Sequence, residues 1–509
     1  MGKRRLTSMA DFPGRGQAVR ENDDKREQPF RPQDLEECHG RIRTFFDGIA
    51  QQREDWIERN LGYHEQIERQ YRSLIPAGST VLDVGCGTGR LVNSLQPSVG
   101  VGLDLSSTMV EVATRKYGSG QVEFINTAVE TFEYEGEGFD YIIFSDVLSY
   151  FYDIKGVFEA VRRYCHPRTR IICNFYSRLW QPIIQVAEEL NLKARHPVLN
   201  WVTKGDVAGF LRMSGYEVIR SFARILCPKT VPLLSGVLNK YLSAVKPFEY
   251  LSLANFVVAR PKMTPFARER EPSVSVVVPC RNEAGNIRAI VERTPEMGGD
   301  TELIFVEGGS TDSTFDACLE VQREFVEKDI VVSRQEGVGK GDAVRLGFSL
   351  ARGDVLMILD ADMTVPPEDL VHFYNALVEG KAEFVNGSRL VYSMEPEAMR
   401  FLNLCANKFF GYAFTFLLGQ RVKDTLCGTK VLTKTDYERV ISFREYFGEI
   451  DPFGDFDLLF GAAKLNLDIQ DLPIRYRDRV YGETNISRFR HGVMLLEMCN
   501  VALKKLRFA

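Results

Sequence analysis

Two hydrophobic periods alternate along this chain. Short β-branched runs bounded by Gly or Asp predict strands at 81–85, 101–105, 141–146 and 171–175 in the first half, and at 274–279, 302–308, 330–335 and 355–362 in the second. Longer stretches between them carry apolar positions three and four residues apart and predict helices. From 41 to 75 the pattern is helical, and Pro76 closes it. Residues 1–40 mix both signs of charge with Pro13 and Pro32 and show no period, which predicts a mobile charged leader. Pro261, Pro265 and Pro272 punctuate a charged run, so 261–272 reads as a linker. Strand–helix alternation predicts α/β domains whose largely parallel sheets are covered on both faces. The expected organisation is two such domains, 41–260 and 273–509.

Composition narrows the function. A chain of 509 residues is long enough for more than one core. Its 64 basic and 69 acidic residues leave a net charge of -5, which excludes a surface coated for nucleic acid. Ten Cys without a CxxC pair and six His offer no zinc spacing, so the thiols read as small core residues in a reducing compartment. No apolar stretch follows the basic N-terminus as a secretory signal requires, and Leu6 stands where a myristoylation motif needs Ser or Thr. A cytoplasmic location is expected.

The first candidate chemistry follows the first strand. Asp83, Gly85, Gly87 and Gly89 form D-x-G-x-G-x-G between a strand and a helix, where missing Cβ atoms let the backbone turn and approach a ligand. Asp104 ends the next strand, in place to accept hydrogen bonds from a ribose. A dinucleotide fingerprint would need glycine at position 90, which is Arg90. This set resembles motif I of class I S-adenosylmethionine-dependent methyltransferases over 41–260, with a Rossmann-like seven-stranded sheet. The resemblance implies S-adenosyl-L-methionine as cofactor: Asp83 faces the methionine amino group, Gly85, Gly87 and Gly89 its backbone, and Asp104 the ribose. Thr127 occupies the family's adenine-contacting Asp position, leaving Glu130 or Asn126 to substitute. Ser145 and Asp146 fall near the methyl group. An oxygen nucleophile needs a base, and His64 in the preceding helical segment is the candidate.

The second half carries a different set. The strand at 355–362 delivers Asp360 and Asp362; alternate residues at an extended strand end point the same way, so both carboxylates can reach one hard cation, Mg²⁺ or Mn²⁺. With Pro279, Asn282 and Glu283 after 274–279, and Lys340 in Gly-Lys-Gly, the order resembles family 2 glycosyltransferases of the GT-A fold over 273–500. The nearest branch acts on polyprenyl (dolichyl-type) phosphates, through Asn386-Gly387-Ser388-Arg389, Asp424 in D-x-x-x-G, and the loop from Arg477 through Arg479 to Glu483. That resemblance implies an inverting, metal-dependent transferase using a UDP- or GDP-linked nucleotide-sugar. Glu307-Gly308 replaces the family's Asp-Asp, so Glu307 keeps one carboxylate toward the base.

Acceptor chemistry divides the possibilities. A sugar hydroxyl must lose a proton, which needs a base such as Asp424 or Asp457. A polyprenyl phosphate is already anionic and needs guanidinium groups, for which Arg389, Arg400 and Arg479 are candidates. The segments 401–419 and 489–507 are apolar with basic flanks and predict peripheral contact with the inner face of a membrane. Together these features predict a bifunctional transferase in cell-surface glycan or glycolipid biosynthesis. The alternative is one active enzyme whose other domain is a binding or scaffolding module.

Overall fold

The computed structural model describes residues 32–508, apart from 119, 194–196, 198–199, 267–269, 391–400, 449–453, 476–480 and 482–487. Its first sheet contains β1 (Thr80–Val84), β2 (Val99–Asp104), β3 (Val122–Asn126), β4 (Phe139–Ser145), β5 (Cys165–Tyr176), β6 (Tyr216–Arg224) and β7 (Ala254–Pro261). Their order is β3-β2-β1-β4-β5-β7-β6. The first five strands in that order run parallel, and β7 is antiparallel to both β5 and β6. Val81, Leu82, Ile142, Ile143, Ile171 and Ile172 are fully buried, as strands covered on both faces require.

The second sheet holds β8 (Val274–Cys280), β9 (Thr301–Glu307), β10 (Asp329–Arg334), β11 (Val355–Ile358), β12 (Phe384–Ser388), β13 (Lys430–Thr433) and β14 (Ile469–Pro473), ordered β10-β9-β8-β11-β13-β12-β14. Strand β13 pairs antiparallel with β11 and β12 and is the one reversed strand. This is the two-sheet α/β architecture that the alternating pattern predicts.

One boundary moves. The helix Pro32–Arg59 begins inside the stretch assigned to the leader. Proline at the first helical position costs no hydrogen bond there, and in this stretch Glu36 and Glu37 are exposed while His39 is buried. A second helix, Leu61–Leu74, sets Tyr63, Ile67, Tyr71 and Leu74 against the sheet.

Buried arginines join the two sheets. Arg170 on β5, 1% exposed, donates to the Asn466 carbonyl at 2.8 Å and to Glu383 at 2.7 Å. Arg260 on β7 donates to Glu217 and the Gly380 carbonyl at 2.8 Å, and its guanidinium lies 3.0 Å from Asp468. Lys464 and Asn466 reach back to the Ser73 and Leu74 carbonyls. Arg170 is level with Tyr141 and Val81, near the amino ends of β4 and β1, Glu383 and Asp468 immediately precede β12 and β14, and Arg260 ends the antiparallel β7, so the carboxyl ends of both parallel sets lie away from this contact.

Removing one member of a buried pair leaves an uncompensated charge, a loss of about 3–5 kcal/mol, whereas replacing both by apolar groups is close to neutral. Glu383→Ala is therefore expected to lower the unfolding free energy by about that amount in urea titrations. The double replacement Arg170→Met/Glu383→Leu is expected to recover most of it. Equal stability of wild type and Glu383→Ala would refute this.

Candidate active sites

The first cleft lies at the carboxyl ends of β1, β2 and β4. Gly87 has φ +54° and nothing within 4 Å of where a Cβ would stand, so its backbone borders open space. Its N–H donates to Asp104 Oδ2 at 2.8 Å, and Ser106 N–H donates to Asp104 Oδ1 at 2.9 Å. A Cβ on Gly85, with φ +78°, would strike Val147, so the sharp turn there needs glycine. Gly89 caps the helix Arg90–Ser94. Beside them lies a cavity of about 370 Å³ bordered by Gly85, Gly87, Asp104, Glu130, Ser145 and His64, whose wall does not include Asp83 or Gly89.

Three carboxyls here are pushed upward. Asp83 is buried, Oδ1 has no hydrogen-bond partner, and burial reinforced by Asp104 drives it up to about 8. Burial also raises Asp104. Asp146, just past β4 with φ +55°, is pushed up to about 6 by burial; it accepts from the Tyr63 hydroxyl at 2.8 Å and from Asn174 Nδ2 at 2.6 Å. An orphaned buried carboxylate oxygen beside an open glycine loop suits a cationic amino acid group, so these residues fit S-adenosylmethionine.

His64 does not suit the role of base. Burial, with Arg53 and Arg90 adding, pushes it down to about 3, so it stays neutral and takes a proton poorly. Asp146 borders the same cavity. The sequence placed it near the methyl group, but its partner Tyr63 lies 83 residues away and no local signal announces that bond.

The second cleft gathers at the carboxyl ends of β8, β9, β11 and β12. Asn282 accepts from Thr311 N–H at 2.8 Å, tying two loops together, and Glu283 accepts from Asn286 at 2.7 Å beneath them. Pro279 precedes them, half-buried. Glu307 accepts from Ser310 N–H, with Arg334 3.6 Å away. At Gly308, where a second carboxylate is usual, a Cβ would find Gln335 Nε2 at 3.5 Å.

Lys340 opens the helix Lys340–Leu350 and sets its ammonium 2.6 Å from Asp360 and 4.0 Å from Asp455. Burial would raise Asp360, yet Lys340 holds it below the usual carboxylate range. Asp362 accepts from Thr364 N–H and hydroxyl at 3.1 and 2.8 Å. A Cβ on Gly428 would collide with both Asp360 and Lys340, which explains the glycine of D-x-x-x-G. No group of three His, Cys, Asp or Glu is poised for a metal among the described residues. The carboxyl groups of Asp360 and Asp362 nevertheless match the hard-oxygen set of Mg²⁺ or Mn²⁺, which draws its other ligands from phosphates and water.

Both candidate bases of this cleft are held by arginines. Arg389 grips Asp424 through Nε at 2.7 Å and Nη2 at 2.8 Å, and offsets burial to keep Asp424 low. Asp457 lies 3.8 Å from both Arg345 and Arg444. Asp455, two residues earlier, is the carboxylate that borders Lys340; the sequence alone does not tell which of the pair turns inward. Arg400 and Arg479 fall outside the described residues. No helix among the described residues is long and apolar enough to cross a membrane.

Comparisons with known proteins divide along the same boundary. Residues 275–440 match the model of glycosyl transferase family 2, and residues 75–208 match a methyltransferase domain. Glycosyltransferase AglJ of Haloferax volcanii is 30% identical over 233 residues, 44% of this chain and 71% of that protein. Dolichyl-phosphate beta-glucosyltransferase of Saccharomyces cerevisiae is 27% identical over 242 residues, 43% of this chain and 71% of that protein. Among solved structures, magnesium protoporphyrin IX methyltransferase from Synechocystis with bound SAH is 16% identical, with a TM-score of 0.32 over 44% of this chain and 99% of that one.

Asp83 generates a pH prediction. Its folded value of about 8 stands above the unfolded carboxyl value, so its contribution to stability is full below about pH 4 and is lost as pH rises through about 8. Asp83→Asn is therefore expected to melt progressively higher than the wild type as pH rises from about 5 to about 8, and to bind S-adenosylmethionine at least about tenfold more weakly. A melting difference independent of pH would refute the assignment.

Proposed function

Since the chain belongs to glycosyl transferase family 2 through its second domain and carries a methyltransferase domain ahead of it, we propose a bifunctional enzyme of glycan or glycolipid assembly. The first domain methylates a small-molecule, glycan or lipid acceptor, and the second, in an inverting reaction, moves a sugar from a UDP- or GDP-linked donor to a polyprenyl phosphate.

The observation that carries the acceptor is the Arg389–Asp424 pair. A base must lose its proton readily and take one back, and a carboxylate gripped by a guanidinium and held low is poor at the second task. Asp457, facing Arg345 and Arg444, is in similar company. An acceptor that is already anionic needs no base, which favours a lipid phosphate over a sugar hydroxyl. The yeast relative's name, with dolichyl phosphate in it, supports the same reading.

In the second cleft, Lys340 holds Asp360 ionised, and Glu307 with Arg334 borders the β9 loop, where a nucleotide base would lie. Asp360 and Asp362 would hold Mg²⁺ or Mn²⁺, which neutralises charge on a departing diphosphate. In the first cleft, Asp83 faces the methionine amino group, Gly85 and Gly87 admit the cofactor's backbone, and Asp104 accepts from the ribose. S-adenosylmethionine supplies an electrophilic methyl, and alignment of the acceptor along that bond lowers most of the barrier. Asp146, steadied by Tyr63 and Asn174, takes the acceptor's proton.

The test is product formation from polyprenyl phosphate and a panel of UDP- and GDP-sugars with Mn²⁺, read by mass spectrometry. Asp362→Ala is expected to lower turnover by about a hundredfold or more, because a lost metal ligand forfeits several kcal/mol of charge stabilisation. Turnover is expected to stay level from about pH 6.5 to about pH 8.5, with no ascending limb from a titrating base. A sugar hydroxyl accepted in preference to the lipid phosphate, or Asp362→Ala at wild-type rate, overturns the reading.

A further inference from the structure

The segment between β6 and β7 shows more apolar surface than its own packing uses. Leu233 is 92% exposed and holds φ +64°, a conformation that a leucine adopts only under constraint, at the start of the helix Leu234–Lys240. Val237 and Leu251 are about half exposed or more. A second strip adjoins it: Leu179, Ile183 and Val186 are exposed at spacings of four and three, one face of the helical stretch around Gln181–Glu189. Trp180 binds the two together, its indole N–H donating to the Leu251 carbonyl at 2.8 Å. Trp180 and Ile183 also border the mouth of the first cavity.

The charge of the segment between β6 and β7 is mostly basic, while Glu188 and Glu189 lie on the neighbouring helix. Residues 225–251 contain Lys229, Lys240 and Lys246 against a single acid, Glu249, in a chain whose net charge is -5. Glu249 is 5% exposed, accepts from Ala223 N–H and lies 3.6 Å from Arg507. Lys204 and Lys246 both stand 5.9 Å over the Tyr250 ring, and Lys240 stands 5.9 Å over Tyr241. Lysines ringing exposed Leu, Val and Tyr are the composition of a surface that lies in a lipid interface. The face continues onto the second domain, because Tyr241 packs edge-on to Phe508 at 5.1 Å and Arg507 donates to the Ala244 carbonyl.

We propose that this face of the methyltransferase domain docks on an anionic lipid bilayer, with Leu233 and Val237 entering the interface and Lys240 and Lys246 meeting its headgroups. Docking so brings the mouth of the first cavity to the lipid surface, and the methyl acceptor is an amphiphile drawn from that surface. The docking stands on the exposed residues alone; the acceptor's source rests on the reading of the cavity as a methyl-transfer site.

The experiment uses the full chain with sucrose-loaded phosphatidylcholine vesicles, with and without phosphatidylglycerol. The wild type is expected to pellet with the anionic vesicles and far less with the neutral ones. Leu233→Glu/Val237→Glu is expected to lower the partition coefficient by at least about tenfold, and Lys240→Gln/Lys246→Gln by about fivefold per lysine. A cooperative thermal melt followed by circular dichroism reports that each variant is folded. Should the first pair fail that check, Leu179→Ser/Val186→Ser carries the same expectation.

Four results would overturn docking by this face: wild type remaining in the supernatant; both apolar variants pelleting like the wild type; loss of binding in Val493→Glu/Leu496→Glu but in neither apolar pair; or a dimer by light scattering that the Leu233→Glu/Val237→Glu change converts to monomer, with no vesicle binding. Vesicle binding without methylation of any extracted lipid would leave the docking intact and refute the amphiphilic acceptor.

Discussion

Arg170 and Arg260 rise from adjacent antiparallel strands of the first sheet and end against Glu383, Asp468 and the Asn466 carbonyl of the second. Burying guanidinium groups is tolerable only when carboxylates and carbonyls meet their charge and donors, so these contacts define how the two domains sit. Because the contact falls on the amino-terminal side of the parallel strands in both sheets, with Arg260 reaching it from the carboxyl end of the antiparallel β7, the glycine loop and the Asp360–Asp362 pair stay at the opposite ends, open to ligands. The placement of both clefts follows from that one contact.

The clefts then differ in electrostatic preparation. In the first, Asp83, Asp104 and Asp146 are carboxyls raised by burial, which outweighs Arg53 near Asp104 and Lys193 and Arg53 near Asp146, and a cationic ligand offsets that cost. In the second, Asp360 and Asp424 are carboxyls lowered by Lys340 and Arg389, and positive charge is already built into the walls. A sulfonium cofactor and an anionic nucleotide-sugar make opposite demands, and the two halves of the chain meet them with the same residue type in opposite company.

Much of this was legible beforehand where the information is local. Gly85 and Gly87 announce a positive-φ turn, and Asp360 and Asp362, two apart at a strand end, share a direction. The identity of the bases was not legible. His64 looked available in a helix, but its burial, with Arg53 and Arg90 adding, pushes it down, while burial pushes Asp146 up against the hydrogen bonds of Tyr63 and Asn174. Asp457 was the sequence's candidate, yet it faces Arg345 and Arg444, and it is Asp455, which the sequence reading did not single out, that borders Lys340.

The sequence by itself determined two α/β domains, the glycine loop and the Asp-x-Asp pair. Those features depend on hydrophobic period, missing Cβ atoms and strand alternation, which act over a few residues. Tertiary structure alone decided which carboxylates carry protons, which arginines are consumed in pairing, and that Arg170 bonds Glu383 across 213 positions of chain. Those outcomes depend on burial and on charges brought close from distant positions, and a linear chain encodes them only through its fold.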